Sequence, residues 1–236
     1  NGTGSVYQMD NGVGQGPAYG HNDTGNDTLR GQAGNDTLYG AGGDDELDGG
    51  TGKDTITTGS GSDQIILRAG DGGDELSDAD IITDFTDGSD FLGLSGSLAY
   101  THLTIAQGTD SYSNDTVISI TETSEKLAIL QGISVSNINY LDFASTATGN
   151  QSFTGTTGDD VFIGAAGIDT VTTKAGTDVI LTSLGDDVIT VDGVGNKTID
   201  GGTGTDTLSL TAYSWNDFAT FKYHGVDASG YLNGFK

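Results

Sequence analysis

Asp27, Asp36, Asp45, Asp54 and Asp63 stand nine residues apart. Two residues before each is a glycine (Gly25, Gly34, Gly43, Gly52, Gly61), and two after each is an aliphatic (Leu29, Leu38, Leu47, Ile56, Ile65). A weaker series follows at Asp160, Asp169, Asp178, Asp187 and Asp206, with Phe162, Val171, Ile180, Ile189 and Leu208 in the aliphatic place. One repeat departs: GNKTI puts Lys197 where the aspartate should be, ten residues after Asp187. Carboxylates at fixed spacing, each beside a glycine turn whose carbonyls are unobstructed, are hard oxygen donors, and their chemistry is the binding of a hard cation.

The elements that place these side chains follow from the period. Nine residues with one aliphatic are too few for a helical repeat but enough for a strand of about three residues and a glycine turn. The side chain two after the aspartate then points inward and its neighbours outward. If successive strands alternate between two parallel sheets, a coil takes two repeats. Asp27, Asp45 and Asp63 then stack along one edge, and Asp36 and Asp54 along the other. Coils lie about 4.8 Å apart, the spacing of neighbouring strands, so like charges stack at close range and raise one another's pKa. A divalent cation between consecutive coils removes the repulsion. Calcium, with six to eight flexible oxygen ligands, suits such turns better than magnesium, which demands strict octahedral geometry and keeps its water. One inward aliphatic per repeat is a thin core, so binding free energy would become folding free energy.

Composition agrees. The 236 residues carry 34 acidic and 8 basic side chains, a formal net charge of −26, with 40 glycines, one proline and no cysteine. Nucleic acid and anionic membrane surfaces are therefore poor partners. Disulfides and thiolate metal sites are excluded. No run of eighteen apolar residues suggests membrane insertion. The chain opens at Asn1 without an initiator methionine or a signal-peptide pattern and ends in Gly-Phe-Lys, and is expected to be a piece of a longer protein.

Along the chain, residues 1–24 read as a lead-in or a cap, with Val6, Tyr7, Met9 and Tyr19 as its apolar anchors. Residues 25–76 form the first array, whose register slips after Asp63 to Asp74 and Leu76 in AGDGGDEL. Residues 77–150 lose the glycine period and show period-two apolar runs at 80–85, 102–107, 115–120 and 126–131, the mark of strands separated by turns. Residues 151–210 carry the second array. Residues 211–236 hold Tyr213, Trp215, Phe218, Phe221, Tyr223, Tyr231 and Phe235, expected to be the start of a truncated cap rather than a ligand-binding face. The expected fold is all-β: two parallel β-roll (β-helix) arrays joined by a small antiparallel β unit.

The repeat resembles the RTX (repeats-in-toxin) haemolysin-type calcium-binding nonapeptide, G-G-x-G-x-D-x-U-x. Its full form stands at GGTGKDTIT, 49–57, and GGTGTDTLS, 201–209; the other copies keep Gly-x-Asp-x-aliphatic. DIITDFTDGSDFLGLSGSL looks like the segment that commonly follows such arrays. The resemblance implies a parallel β-roll with several Ca²⁺ ions held between turns of successive coils. Carried over, it implies sites between Asp27 and Asp45, Asp36 and Asp54, Asp45 and Asp63, and Asp54 and Asp74, then Asp160 and Asp178, and Asp169 and Asp187. Lys197 puts an Asp178/Lys197 site in doubt, its ammonium replacing the cation or its coil ending a metal row. The extra residue before it leaves Asp187/Asp206 open. Asp80, Asp84, Asp87 and Asp90 are either further calcium ligands or acidic surface turns; their spacing is not that of an EF-hand.

Other motifs are weak. His21, His102 and His224 are scattered, no Gly-x-Ser-x-Gly elbow exists, and the glycine-rich strings lack the strand–helix context of a dinucleotide site. The Asn-Asp-Thr sequons at 26–28 and 35–37 are by-products of the repeat; Asn114 is a freer match. The reading is of a non-enzymatic, calcium-binding extracellular module of a secreted or cell-surface bacterial protein, an adhesin or surface-layer component suited to spacing or lattice work. Its other partners would be further copies or domains of that surface protein. The resemblance implies type I secretion of an unfolded chain that folds on meeting external calcium. The alternative is an accessory domain of a type I-secreted lipase, protease or polysaccharide epimerase.

Overall fold

Strands follow the nine-residue beat from the first repeat onward. The structure, a computed structural model, describes residues 6–8, 18–19, 24–211 and 221–223. Among these the regular elements are strands and short 3-10 turns. The strands are β1 (Val6–Gln8), β2 (Ala18–Tyr19), β3 (Thr28–Arg30), β4 (Thr37–Gly42), β5 (Glu46–Asp48), β6 (Thr55–Ser60), β7 (Gln64–Arg68), β8 (Asp80–Ile82), β9 (Phe91–Ser95), β10 (Leu103–Gln107), β11 (Thr116–Ile120), β12 (Lys126–Leu130) and β13 (Phe143–Ser145). They continue with β14 (Ser152–Thr154), β15 (Val161–Ile163), β16 (Thr170–Thr172), β17 (Asp178–Leu181), β18 (Val188–Val191), β19 (Lys197–Asp200), β20 (Thr207–Leu210) and β21 (Phe221–Tyr223). The chain divides into two units, residues 1–98 with 102–144, and residues 99–101 with 145–236.

In the first unit, consecutive repeat strands go to different sheets. One sheet runs β1-β3-β5-β7-β9-β13 and the other β10-β11-β12-β8-β6-β4-β2. Pairing in the roll is parallel, with Leu29 opposite Leu47 and Leu38 opposite Ile56. Leu29, Leu38, Leu47, Ile56 and Ile65 are fully buried, so each repeat donates one side chain to the space between the sheets.

The roll does not stop at residue 76. β8 adds to β6 in parallel, with Ile82 opposite Ile56, and β9 adds to β7, with Leu92 opposite Ile65. Antiparallel pairing within the 77–150 segment is confined to β10, β11 and β12, which extend the second sheet through a parallel β12–β8 pair. The physical reason is that Asp80-Ile81-Ile82 and Asp90-Phe91-Leu92 keep the Asp-x-aliphatic order, so their aliphatics continue the two inward stacks. The Glu125 carboxylate ties the antiparallel strands to the loop before β8, accepting from the Gly70 and Gly72 amides at 2.8 and 3.1 Å.

The second unit repeats the plan in two four-stranded parallel sheets, β14-β16-β18-β20 and β15-β17-β19-β21. Val171, Ile180, Ile189, Val191 and Ile199 form its core, with Phe153, Phe162, Leu208 and Leu210 packed on it. Its first strand precedes Asp160: Gln151 stands in the aspartate place and Phe153 in the aliphatic place, stacked on Phe162 with ring centroids 5.1 Å apart. At the chain ends, β1, β2 and β21 pair in parallel with β3, β4 and β19. The remainder of the expected lead-in and most of the aromatic segment, including Met9, Tyr213, Trp215, Phe218, Tyr231 and Phe235, lie outside the described residues, as do His21 and His224.

Candidate metal sites in the coil turns

The glycine two before Asp54 and the one two before Asp63 are required by geometry. Gly52 has φ +120° and Gly61 φ +145°, and a Cβ there would run into the Gly34 and Gly43 carbonyls of the preceding coil. An L side chain is strained at such angles. The turn therefore stacks closely on its neighbour and leads straight into the aspartate.

Each aspartate faces the one a coil away. The Oδ1 atoms of Asp45, Asp63 and Asp90 accept from the Asp27, Asp45 and Asp63 amides at 2.7, 2.8 and 3.1 Å, making one row. Asp54 and Asp80 accept from the Asp36 and Asp54 amides at 2.7 and 2.8 Å, making the other. In the second unit Asp169, Asp187 and Asp206 accept from the Gln151, Asp169 and Asp187 amides at 2.7, 2.7 and 3.0 Å. Asp178 accepts from the Asp160 amide at 3.0 Å.

Three placements revise the sequence reading. Asp54 meets Asp80 rather than Asp74, which is exposed in the loop before β8, because pairing of β8 on β6 sets the register and the intervening residues loop out. Asp206 stays in register with Asp187 despite the extra residue. Of the candidates Asp80, Asp84, Asp87 and Asp90, Asp80 and Asp90 join the rows, Asp84 is taken up by the Thr58 and Gly59 amides at 2.8 and 2.9 Å, and Asp87 is exposed. A second ladder was not foreseen. The residue before the aspartate also bonds the next coil: Asn26, Asp44, Asn150, Asp159 and Asp186 accept from the Asp44, Ser62, Ile168, Thr177 and Thr205 amides at 2.7 to 2.9 Å. The Asn or Asp recurring before the repeat aspartate was its available signal, and it gives the sequon asparagine Asn26 a structural duty.

The other carboxylate oxygen is the chemically open one. The Oδ2 atoms of Asp36, Asp54, Asp63 and Asp187 are buried with no hydrogen-bond partner among the described residues. Buried polar atoms are rarely left so, and an ion is one of the standard reasons. Five residues upstream a glycine gives this oxygen room: a Cβ on Gly31 would stand 2.9 Å from Asp36 Oδ2, one on Gly40 2.6 Å from Asp45 Oδ2, and one on Gly49 would collide with Asp54 Oδ2. Burial holds Asp54 and Asp63 up at about 6, against the pull of the hydrogen bonds they accept, with neighbouring carboxylates adding to the rise. Burial raises Asp80 to about 8, with the Asp54 carboxylate adding to it. Asp36, Asp169 and Asp206 are raised chiefly by the same cause.

Among the described residues no three Asp, Glu, His or Cys side chains converge on one point. A cation held here would take one or two carboxylates and complete its shell from turn carbonyls and water, a donor set suited to calcium. The donor chemistry, the partnerless oxygens and the glycine-lined room fit that ion.

A family model for the RTX calcium-binding nonapeptide repeat matches residues 21–56, 39–76 and 148–189. No curated protein matches. Solved structures similar to the chain include the AlgE6R3 subunit of the Azotobacter vinelandii mannuronan C5-epimerase, at 25% identity and TM-score 0.42, covering 58% of this chain and 86% of that one. The AlgE6R2 subunit of that enzyme matches at 27% identity and TM-score 0.36, covering 50% and 86%. The last match of the family model begins at residue 148, beside the Gln151 coil that opens the second roll. With aspartates, glycines and aliphatics in these positions, residues 21–76 and 148–189 are similar to the RTX calcium-binding nonapeptide repeat.

Proposed function

We propose that the chain is an extracellular, non-catalytic structural module of a secreted or cell-surface bacterial protein, of adhesin or surface-layer type, whose two rolls fold when calcium binds between successive coils. The observation that carries this reading is the set of buried Oδ2 atoms on Asp36, Asp54, Asp63 and Asp187 with no hydrogen-bond partner among the described residues, repeated at the same place in the coil. The ligands in the first roll are Asp27 with Asp45, Asp36 with Asp54, Asp45 with Asp63, Asp54 with Asp80, and Asp63 with Asp90. Those in the second are Asp160 with Asp178, Asp169 with Asp187, and Asp187 with Asp206. In calcium-poor cytosol the carboxylates repel and the chain stays open; outside the cell the ion neutralises them. No helix among the described residues is long and apolar enough to cross a membrane, and the net charge of −26 favours cations over anionic surfaces.

Calcium titration followed by far-UV circular dichroism tests this. Strand signal should rise with calcium and fall on adding EDTA. A strand signal indifferent to both would reject the reading.

A further inference from the structure

Lys197 stands where the repeat demands an aspartate, yet its strand is in register. Its Cα lies opposite Asp178, the place the next aspartate occupies in neighbouring coils. The side chain turns into the roll, and both it and Asp178 are fully buried. Its Nζ lies 2.8 Å from Asp178 Oδ2, the oxygen that on Asp36, Asp54, Asp63 and Asp187 lacks a hydrogen-bond partner among the described residues. It also donates to the Gly176 carbonyl at 2.7 Å. A carboxylate and a turn carbonyl are the two kinds of donor a calcium ion would take from such a turn.

Charge balances in the same way. Two carboxylates and one Ca²⁺ sum to zero, and so do one carboxylate and one ammonium. A buried charge survives only when paired, and here the pair is internal to the chain. The backbone is adapted too. In the coils described above the aspartate amide donates to the next aspartate's Oδ1, an atom lysine lacks. The Asp178 amide donates instead to the Asn196 carbonyl at 2.9 Å. The spacing from Asp178 to Lys197 is nineteen residues, against eighteen from Asp160 to Asp178, and the extra residue accompanies that change of acceptor.

We propose that Lys197 is a tethered cation that fills the place of calcium at the junction between the Asp178 coil and its successor, so that this junction closes without metal. The proposal rests on the reading of the other coil turns as calcium sites. The row Asp160–Asp178–Lys197 then carries a metal only at its first step. The β17–β19 pair is the part of the second roll that persists when calcium is withdrawn, a seed from which the metal-bound coils grow.

Two measurements on the full chain decide it. Equilibrium dialysis against radioactive calcium should give one more bound ion per chain for Lys197→Asp than for the wild type. Hydrogen exchange in EDTA should show wild-type amides of 178–181 and 197–200 exchanging at least about tenfold more slowly than those of 28–30 and 46–48, and Lys197→Met should abolish the difference. The exchange experiment stands even if Lys197→Asp fails to fold. Uniform wild-type exchange, an unchanged pattern in Lys197→Met, or an unchanged ion count in a folded Lys197→Asp would each overturn the tethered cation while leaving calcium binding elsewhere intact. A wild type that binds no calcium would overturn both.

Discussion

At the residue scale, the two oxygens of one aspartate do different work. Oδ1 of Asp54 accepts the Asp36 amide, while Oδ2 is buried with no partner among the described residues. Asparagine separates the two roles, since its carbonyl keeps the first and its amide nitrogen cannot ligate a cation. Asp54→Asn should therefore raise the calcium concentration at half-folding by about tenfold or more, equivalent to about 1.4 kcal/mol, because Asp54 faces a coil on either side. In EDTA the variant should be no less ordered than the wild type, since it removes a carboxylate whose burial disfavours its charge. Titration of both proteins by circular dichroism checks this. Equal calcium midpoints would mean that Oδ2 ligates nothing.

At the scale of the element, the coil was legible wherever one residue type repeated at one spacing. The inward aliphatics Leu29 to Ile65 are buried as the period requires. What was illegible was register across an insertion. Asp80 lies 26 residues from Asp54 and Asp90 lies 27 from Asp63, against 18 elsewhere in the roll. Nearest-neighbour spacing thus favoured Asp74, whereas the hydrogen-bonding ladder of β6 and β8 selects Asp80. Gln151 hid a coil for a different reason: its backbone amide takes the Asp169 bond without any need for its own carboxylate. The antiparallel strands were legible from their period-two pattern, but their continuity with the roll through β8 was not, because pairing partners carry no sequence mark. The turn itself is the element's most demanding part. Gly52→Ala forces a Cβ at φ +120° against the Gly34 carbonyl and should cost on the order of 1–2 kcal/mol or more. Urea unfolding in saturating calcium should show it. Thr51→Ala, one residue earlier and exposed, should unfold within about 0.5 kcal/mol of the wild type.

At the scale of the whole molecule, the roll is a stack of buried carboxylates in a chain of net charge −26, and protons and calcium compete for them. Asp54 and Asp63 are held at about 6 and Asp80 at about 8, against an ordinary value of 3.8, chiefly by burial. Between the ordinary and the raised values the folded chain binds protons that the unfolded chain does not. Stability of the calcium-free fold therefore falls as pH rises through that window. Its gain is complete below about pH 4 and is lost as pH climbs through about 6 for Asp54 and Asp63 and about 8 for Asp80. In EDTA the chain should thus show more strand signal at about pH 5 than at about pH 8, because protonation removes charges whose burial is the main cost. Calcium requires the deprotonated form, so its apparent affinity should move the other way and weaken as pH drops through 6. The two trends cross: acid orders the empty roll and loosens its hold on the ion. Circular dichroism in EDTA and calcium midpoints measured at both pH values would read them separately. A calcium-free chain whose strand content ignored pH would show that the buried carboxylates are not what keeps it open, and the low-calcium state would then need another cause.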